Sequence, residues 1–268
     1  ARIKPTPSQE KISKSAVVAQ PKKEDGREIH RFGGLDFVHV PAGDFFMGAN
    51  DINNAKPEHL VYQLNYDFYI ARFPVTNQQY ARMAREKGLP IVMSRGQQQH
   101  PVVNVSWHDA QVYVAWMNEK FKNDLPQGYQ FRLPSEAEWE KAARGPEGFI
   151  YPWGDQFDAK KCNSKESGIG GTMPVGKYSP QGDSLYGCAD MAGNVWEWTR
   201  TIWDDKFKYP YRFDDGREEE KENFVRVLRG GVFYLNQGLV RCASRNNGNP
   251  NLGYDYVGFR VLVSASSS

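Results

Sequence analysis

The order of apolar and polar residues along the chain predicts three helices, each introduced by a residue that can cap it. The predicted N-caps are Thr76, Ser106 and Ser135. The first helix runs from Asn77 to about Lys87 and is ended by Gly88, and the second ends near Phe121. Asp109 and Glu138 stand three residues after their caps, where an acidic side chain completes a capping box. Apolar residues at helical spacing predict the buried faces, which carry Ala110, Val114, Met117, Trp139, Ala142 and Ala143.

Alternation of apolar residues and the placement of turn residues predict short strands elsewhere in the chain. The segments Phe37–Pro41 and Gly43–Gly48 are predicted to pair as a hairpin, and Phe68–Ala71 forms a further strand. Residues 150–195 show little periodicity, and a loop of that length is typical of a functional segment or of one held by an ion. Short strands mixed with helices and long loops indicate an α+β domain.

The composition of the chain changes near residue 28. Residues 1–28 are rich in Lys, Pro, Ser and Gln and are predicted to be a disordered tail or a linker to another domain. Residues 29–264 contain no linker-like segment and are predicted to form one domain. Its abundant aromatic residues (7 Trp, 14 Tyr and 15 Phe in the whole chain) suit a core that supports long loops.

Charge, hydropathy and cysteine usage narrow the functional classes. The net charge is +2 and no basic stripe is present, so a nucleic-acid partner is not expected. No apolar run is long enough to span a bilayer, so membrane insertion is not expected either. The three cysteines, Cys162, Cys188 and Cys242, cannot all pair with one another. Buried thiols are therefore expected, and a single bridge stays open.

The segment between Arg229 and Val257 follows neither a helical nor a strand period. It places aromatic residues, small residues and asparagines side by side, which is unlike a core segment. Tyr and Phe offer contact area at a low cost in conformational entropy, whereas Gly and Asn supply adaptable polar contacts. We therefore predict a ligand-binding surface in this segment. Its candidate residues are Val232, Phe233, Tyr234, Leu235, Asn236, Gly238, Leu239, Asn247, Asn249, Asn251, Leu252, Gly253, Tyr254, Asp255 and Tyr256.

Characteristic blocks of sequence follow one another along residues 33–263. They include Phe37-Val38-His39-Val40-Pro41-Ala42-Gly43, Pro101-Val102-Val103-Asn104-Val105-Ser106-Trp107, Arg132-Leu133-Pro134-Ser135-Glu136, Met191-Ala192-Gly193-Asn194-Val195-Trp196-Glu197-Trp198, Arg229-Gly230-Gly231 and Gly258-Phe259-Arg260. In this order they resemble the formylglycine-generating enzyme family of sulfatase-modifying factors. The resemblance implies the C-type lectin fold of that family, with small antiparallel sheets, two main helices and long loops. Because a fold does not fix a function, the site has to be considered separately.

The enzymes of this family carry a pair of cysteines soon after the Arg-Gly-Gly block, which bind copper and form mixed disulfides with the substrate. In this chain that interval, Val232–Val240, contains no cysteine. Without a thiolate pair there is neither a soft copper(I) site nor a nucleophile. Cys242 matches a structural cysteine of the family, whose usual partner position falls here at about Ala143. The resemblance therefore implies a family member without the catalytic pair.

The same part of the chain, about residues 228–260, also resembles the variable region of proteins diversified by retroelements. In those systems adenines of a template are replaced, and Asn codons are the main targets. Changes at the first two positions of such codons cannot produce Lys, Glu, Gln, Met or Trp. The candidate residues fall within the reachable set, and Asn246, Asn247 and Asn249 look like unmutated copies. The alternative is an ordinary Asn- and Gly-rich surface loop of a non-catalytic family member.

The resemblance implies structural calcium as a cofactor. One family calcium site matches the side chains of Asp190 and Glu197 and the carbonyl oxygens of Gly193 and Val195. Calcium prefers such hard oxygen ligands. The alternative assigns Asp190 to a turn and pairs Glu197 with an arginine. A second family site matches Asn163, Ser164, Ser167 and Ile169, where Ser167 replaces the aspartate of the family.

These observations predict a non-catalytic ligand-binding protein with a diversified surface. The sequence leaves the identity of the ligand open, but a protein ligand is expected, and the chain itself is expected to be a monomer. Two alternatives stay open. One is a metal-dependent oxidase of the same family that uses other metal ligands, and the other is a regulatory module of a signalling protein.

Overall fold

A computed structural model describes residues 21–24, 26–91 and 96–266 of the chain. Within these ranges the protein forms three α-helices and twelve short β-strands, which confirms the predicted α+β class. The helices are α1 (Asn77–Lys87), α2 (Trp107–Phe121) and α3 (Glu136–Arg144). The strands are β1 (Lys22–Glu24), β2 (Arg27–Phe32), β3 (Leu35–Val40), β4 (Phe45–Met47), β5 (His59–Val61), β6 (Phe68–Ala71), β7 (Tyr129–Arg132), β8 (Trp196–Ile202), β9 (Arg226–Arg229), β10 (Arg245–Gly248), β11 (Val257–Phe259) and β12 (Leu262–Ala265).

Local sequence determines where the helices begin and end. Each predicted cap accepts a hydrogen bond from the main chain of the third helical residue, and the side chain of that residue reaches back to the cap. All three helices therefore begin with a complete capping box; the sequence predicts those of Ser106 and Ser135, and Gln79 completes a third with Thr76. Helix α1 ends at Gly88, whose φ of 66° lies in the left-handed region that glycine adopts without a steric penalty.

The strands form three sheets. The largest has the order β1-β2-β3-β6-β12-β7, and its paired neighbours are antiparallel. A four-stranded sheet has the order β10-β9-β8-β11, in which only β11 runs parallel to its neighbour β8. Strands β4 and β5 form a separate pair. The four-stranded sheet contains the ends of the segment predicted to bind a ligand, so this sheet positions the candidate site.

The predicted hairpin of Phe37–Pro41 with Gly43–Gly48 is wrong. Strand β3 pairs with β2 and β6, whereas β4 pairs with β5. The turn between β3 and β4 is bound to helix α3, because the Lys141 ammonium donates to the carbonyl oxygens of Pro41 and Gly43, each at 2.7 Å. These bonds direct the chain away from the large sheet, so the second strand finds a different partner.

The ordered sheet extends further toward the N-terminus than residue 29. Strand β1 and the first residues of β2 lie within the predicted tail and pair with each other. Arg27 donates to Asp183 at 3.0 Å, and Glu24 accepts from the buried Arg72 at 2.7 Å. These two ion pairs attach the N-terminal strands to the domain.

Two apolar clusters form most of the core. The larger one contains residues of α2, of the large sheet and of the four-stranded sheet, including Trp107, Met117, Phe131 and Trp198. The second cluster surrounds Trp139, Ala142 and Ala143 of α3, which are fully buried as their spacing predicts. The larger cluster thus supports the four-stranded sheet, and Phe233, Tyr254 and Tyr256 of the candidate region pack against it.

Candidate ligand-binding surface

The first loop of the candidate surface starts from a buried ion pair. Arg229, the last residue of β9, is fully buried and donates to the carboxylates of Glu136 (3.2 Å) and Glu140 of α3. It also donates to the carbonyl oxygen of Cys242 at 2.7 Å. Burial opposes the charge, but the two carboxylates outweigh it and raise the pKa of Arg229. Arg229 therefore joins both ends of the loop 230–242 to helix α3.

A second buried arginine follows the last strand of the candidate region. Arg260 donates to both oxygens of Glu197, each at 2.6 Å, and to the carbonyl oxygens of Ala71 (3.1 Å) and Ala189 (3.0 Å). Burial opposes its charge, but the carboxylate raises the pKa of the guanidinium. The bidentate pair links β8 to the segment after β11. It therefore fixes the second loop of the candidate surface, residues 249–256, relative to the sheet.

Arg245 at the start of β10 binds Glu136 with two nitrogens, one of them at 2.8 Å. Its guanidinium lies 4.8 Å from the ring centroid of Trp203 and 4.2 Å from that of Tyr209. Cations stack favourably on aromatic faces in this way. Arg245 and Arg260 thus belong to the scaffold.

An aromatic cluster made of residues from both loops lies at the surface of the site, with Tyr234 exposed and the other three rings partly buried against the core. Phe233 and Tyr234 come from the first loop, and Tyr254 and Tyr256 from the second. Consecutive ring centroids along the series Phe233, Tyr234, Tyr256 and Tyr254 lie 5.2, 5.7 and 5.5 Å apart. These separations are within the range of favourable aromatic pairs. The four rings form one continuous group, which we call the aromatic surface.

Burial raises the pKa of Tyr234 and Tyr256, and the neighbouring tyrosine ring and Asp255 raise it further. Both phenols are therefore neutral at physiological pH and can donate hydrogen bonds. Tyr234 is 45% exposed. A half-exposed tyrosine offers a ligand both apolar area and a polar group, which is why such residues are common at hot spots of interfaces.

The other candidate residues divide by exposure. Leu235 is partly buried, whereas Val232 is fully buried in the core and cannot contact a ligand, contrary to its placement among the candidate residues. Val232 faces inward because it packs with the residues beneath the first loop. The remaining candidates are all exposed: Asn236, Gly238, Leu239, Asn247, Asn249, Asn251, Leu252, Gly253 and Asp255.

The first loop is held in the middle by side chains that the sequence did not identify. Glu166 accepts from the main-chain nitrogen of Gln237 at 2.8 Å, and the Tyr151 hydroxyl donates to the Gln237 carbonyl at 3.1 Å. The main-chain nitrogen of Lys165 donates to the carbonyl of Leu235 at 2.9 Å. All of these bonds involve the main chain of the loop, so they do not depend on its side chains. One signal in the sequence distinguished this part of the loop: Gln237 is a residue type that changes at the first two positions of an Asn codon cannot produce.

Asn104 holds the second loop in a similar way. Its main-chain nitrogen donates to the carbonyl of Tyr254 at 2.8 Å. A Cβ atom added at Gly253 would lie 2.7 Å from the carbonyl carbon and oxygen of Asn104, closer than real Cβ contacts allow. Asn104 has a φ of 58°, a conformation that asparagine tolerates better than most residues. The two loops therefore have fixed main-chain paths.

All three cysteines are free and buried. Burial raises the pKa of Cys188 to about 11 and that of Cys162 and Cys242 to about 12. At neutral pH these thiols are protonated, and a protonated thiol is neither a nucleophile nor a soft metal ligand. Cys242 packs in the same apolar cluster as Ala143, the residue at the position of its usual family partner.

The predicted calcium ligands have other partners in the structure. Both oxygens of Glu197 accept from Arg260, and one of them also accepts from the Trp139 indole at 2.8 Å. Asp190 accepts from the main chain of Gly176 at 2.7 Å, and burial raises its pKa to about 6. This arrangement suits the alternative of a turn and an arginine pair, because a guanidinium already neutralises Glu197. Calcium at Asp190, Gly193, Val195 and Glu197 stays a prediction.

The residues of the second predicted calcium site bond to one another. The Ser167 hydroxyl donates toward the Asn163 side-chain oxygen (3.1 Å) and the Ser164 carbonyl (2.7 Å). Across the described ranges, no group of three or more His, Cys, Asp and Glu side chains is arranged to hold a metal.

Among the helices that the structure describes, none is long and apolar enough to cross a bilayer.

Relatives of the chain include a kinase and a protein described as inactive. The serine/threonine-protein kinase Pkn1 of Chlamydia trachomatis is 30% identical over 95% of this chain, which spans only 42% of the length of that kinase. The inactive C-alpha-formylglycine-generating enzyme 2 of Bos taurus is 28% identical, with 86% of this chain and 89% of the relative covered.

Solved structures share the architecture. PvdO from Pseudomonas aeruginosa superposes with a TM-score of 0.73 at 28% identity, covering 87% of this chain and 95% of that one. The Treponema denticola variable protein 1 superposes with a TM-score of 0.69 at 21% identity, covering 89% and 98%. The likeness confirms the predicted fold. The sulfatase-modifying factor enzyme 1-like domain matches residues 28–265, and the chain therefore belongs to that family, which carries the formylglycine-generating enzyme fold.

Proposed function

We propose that the protein is a non-catalytic binding protein whose ligand, a protein, contacts the aromatic surface and the exposed residues around it. The observation that carries this proposal is the continuity of the four rings across two loops that buried arginines hold in place. Protein interfaces concentrate their binding energy in such clustered aromatic residues. A surface whose main chain is already ordered also loses little conformational entropy on binding.

The thiol chemistry supports a role without catalysis. The interval Val232–Val240, where the enzymes of the family carry their cysteine pair, has no cysteine, and the three cysteines elsewhere are buried and protonated. The bovine relative described as inactive supports the same conclusion. Metal analysis of the purified protein tests it. We expect less than about 0.1 copper or iron per chain, and stoichiometric redox metal would favour the oxidase alternative instead.

We propose further that the exposed loop residues are diversified. The main-chain bonds to Glu166, Tyr151 and Asn104 support this idea, because they go to main-chain atoms of the loops and not to the side chains that would vary. Sequencing of the source locus tests the idea. We expect a reverse transcriptase gene and a near-identical repeat of the region 228–260 that differs at adenines. If both are missing, the loop is an ordinary surface loop of a non-catalytic family member.

A regulatory module of a signalling protein is the second candidate function. It is favoured by one specific observation, the 30% identity of 95% of this chain to part of the kinase Pkn1. The full-length gene tests it, since a kinase domain in the same reading frame would support the module.

Analytical ultracentrifugation of the chain tests the monomer that the sequence predicts, with a mass near 30.6 kDa expected.

A further inference from the structure

A cavity of about 320 Å³ lies beside the second loop of the candidate surface, in the part of the scaffold formed by α1, α2 and the segment before α2. Its volume is at the lower end of the range of ligand pockets, which is roughly 300–1,000 Å³. Most of its wall is apolar. Its lining residues include Tyr80, Leu89, Ile91, Val103, Asn104 and Asp109.

The rim of this cavity, which we call the Tyr80 cavity, exposes apolar side chains to solvent. Leu89 and Ile91 are 39% and 41% exposed, and Val103 is partly buried. Large exposed apolar residues that gather around a concavity are typical of an interaction site. Isolated ones are common and carry no such meaning.

The Tyr80 cavity adjoins the second loop of the candidate surface through Asn104. Asn104 forms part of its wall, and the main-chain nitrogen of Asn104 donates to Tyr254 at 2.8 Å. Gly253 packs directly against Asn104, since even a Cβ atom at this glycine would overlap the Asn104 carbonyl. A ligand that covers Tyr254 and Leu252 therefore lies next to the opening of the cavity.

Two polar groups give the cavity a chemical preference. Asp109 accepts from the Ser106 nitrogen (2.8 Å) and hydroxyl (2.7 Å), and both bonds go to the same oxygen, Oδ2. Burial, together with the Asp109 charge, raises the pKa of Tyr80 to about 12, so this phenol stays neutral. The cavity thus offers an apolar wall with one anionic acceptor, and the lining residues that the structure describes include no cationic side chain.

We propose that the Tyr80 cavity takes a large apolar side chain, adjacent to a hydrogen-bond donor, of the same protein ligand that binds the aromatic surface. This inference rests on the proposed binding function. All lining residues lie outside the region 228–260, so they stay constant while the loops vary. The cavity then supplies a fixed anchor that every ligand shares, and the variable loops decide which ligands are accepted.

A displayed library of random 12-residue peptides, selected on the whole protein, provides the probe. The affinity of the selected peptides is then measured by titration against four variants. Val103→Trp fills the cavity, and Leu89→Ser with Ile91→Ser removes its apolar rim. Tyr234→Ser with Tyr256→Ser alters the aromatic surface and leaves the cavity intact. Val112→Ser is the matched control, because Val112 is 42% exposed on α2 and does not line the cavity.

We expect the two cavity variants and the aromatic variant each to weaken peptide binding about tenfold or more, with Val112→Ser unchanged. Unaltered thermal unfolding shows that each variant is folded. If only the aromatic variant weakens binding, the anchor proposal is overturned and the proposed function stands. If only the cavity variants weaken binding, or if neither the cavity variants nor the aromatic variant does, the shared interface is overturned together with the role of the aromatic surface.

A second measurement decides the case if selection yields no binder. The methyl resonances of Leu89, Ile91 and Val103 are followed while N-acetyl-tryptophanamide, a large apolar side chain with an amide donor, is titrated. Saturable shifts that disappear in Val103→Trp support the cavity as an anchor site. Absence of saturable shifts up to about 10 mM, a very weak Kd for one side chain, overturns the proposal.

Discussion

Single residues in the candidate region have two separate tasks. Arg229, Arg245 and Arg260 are buried and bind carboxylates of α3 and β8, whereas Tyr234 and Tyr256 are accessible to a ligand. A buried arginine that loses its partner leaves an uncompensated charge, so these positions tolerate little change. An accessible side chain with few neighbours tolerates much more.

Replacing Arg260 by Met is predicted to destabilise the protein strongly. The substitution leaves the Glu197 carboxylate buried with only the Trp139 indole as a donor. Breaking a buried pair in this way costs about 3–5 kcal/mol in the free energy of unfolding. Urea denaturation measures the loss. The control is Arg212→Met, which removes an exposed pair with Asp214 and should leave the same quantity nearly unchanged.

Val232 and Tyr234 are two residues apart and are predicted to respond oppositely to truncation. Val232→Ala removes two buried methyl groups and should lower the free energy of unfolding by about 2 kcal/mol. Tyr234→Ser should change it by less than about 0.5 kcal/mol, because the ring is half exposed. The same denaturation experiment tests both. Equal losses would mean that Tyr234 is part of the core and not of the proposed binding surface.

The elements of the fold differ in how far local sequence specifies them. The three helices follow from their capping residues, since a capping box involves residues only three positions apart. The pairing of β4 does not follow from local sequence, because the hydrogen bonds from Lys141 to the turn before β4 span about 100 residues. Local periodicity identifies a strand but cannot identify the sheet that receives it.

Strand β1 is a short edge strand whose removal is predicted to have a measurable cost. A chain that begins at residue 27 loses the pairing of β1 with β2 and the bond from Arg72 to Glu24. Arg72 keeps a longer contact to Asp183 at 3.4 Å, so the expected loss is only about 1–2 kcal/mol. Thermal unfolding of chains that begin at residues 1, 21 and 27 measures it. The first two should agree if residues 1–20 are a tail, as the sequence predicts.

At the scale of the whole molecule, the family blocks in the sequence were enough to predict the fold, whereas the ligand-binding role of the segment between Arg229 and Val257 stays a prediction. The buried ion pairs of helix α3 could not be predicted. Glu136, Glu138 and Glu140 are all fully buried although no single helix face contains all three. Glu138 pairs with Arg132 only six positions away, but Arg229 is 93 positions from Glu136, and such distant partners come together only in the folded chain.

Calcium is predicted to act on the molecule as a whole. If Asp190 and the neighbouring carbonyls bind it, calcium at about 100 times its Kd adds about 2.7 kcal/mol to the free energy of unfolding. Thermal unfolding in 2 mM calcium and in excess chelator measures the difference. Asp190→Asn should abolish the effect while the chelator curve stays close to that of the wild type. Identical unfolding curves for the wild type in both conditions would contradict the calcium prediction. Glu197 would then act only as the ion-pair partner of Arg260.

The contact of Gly253 with Asn104 limits the repertoire that such a surface can produce. A copy of the gene in which codon 253 acquires any side chain must displace the Asn104 main chain, so many of these copies yield no functional protein. Leu252 and Asp255 beside it carry no such restriction because they are exposed. If the region is diversified as proposed, natural copies of the gene should therefore keep glycine at 253 while its neighbours change, and each round of diversification should lose a predictable share of its offspring at this one codon.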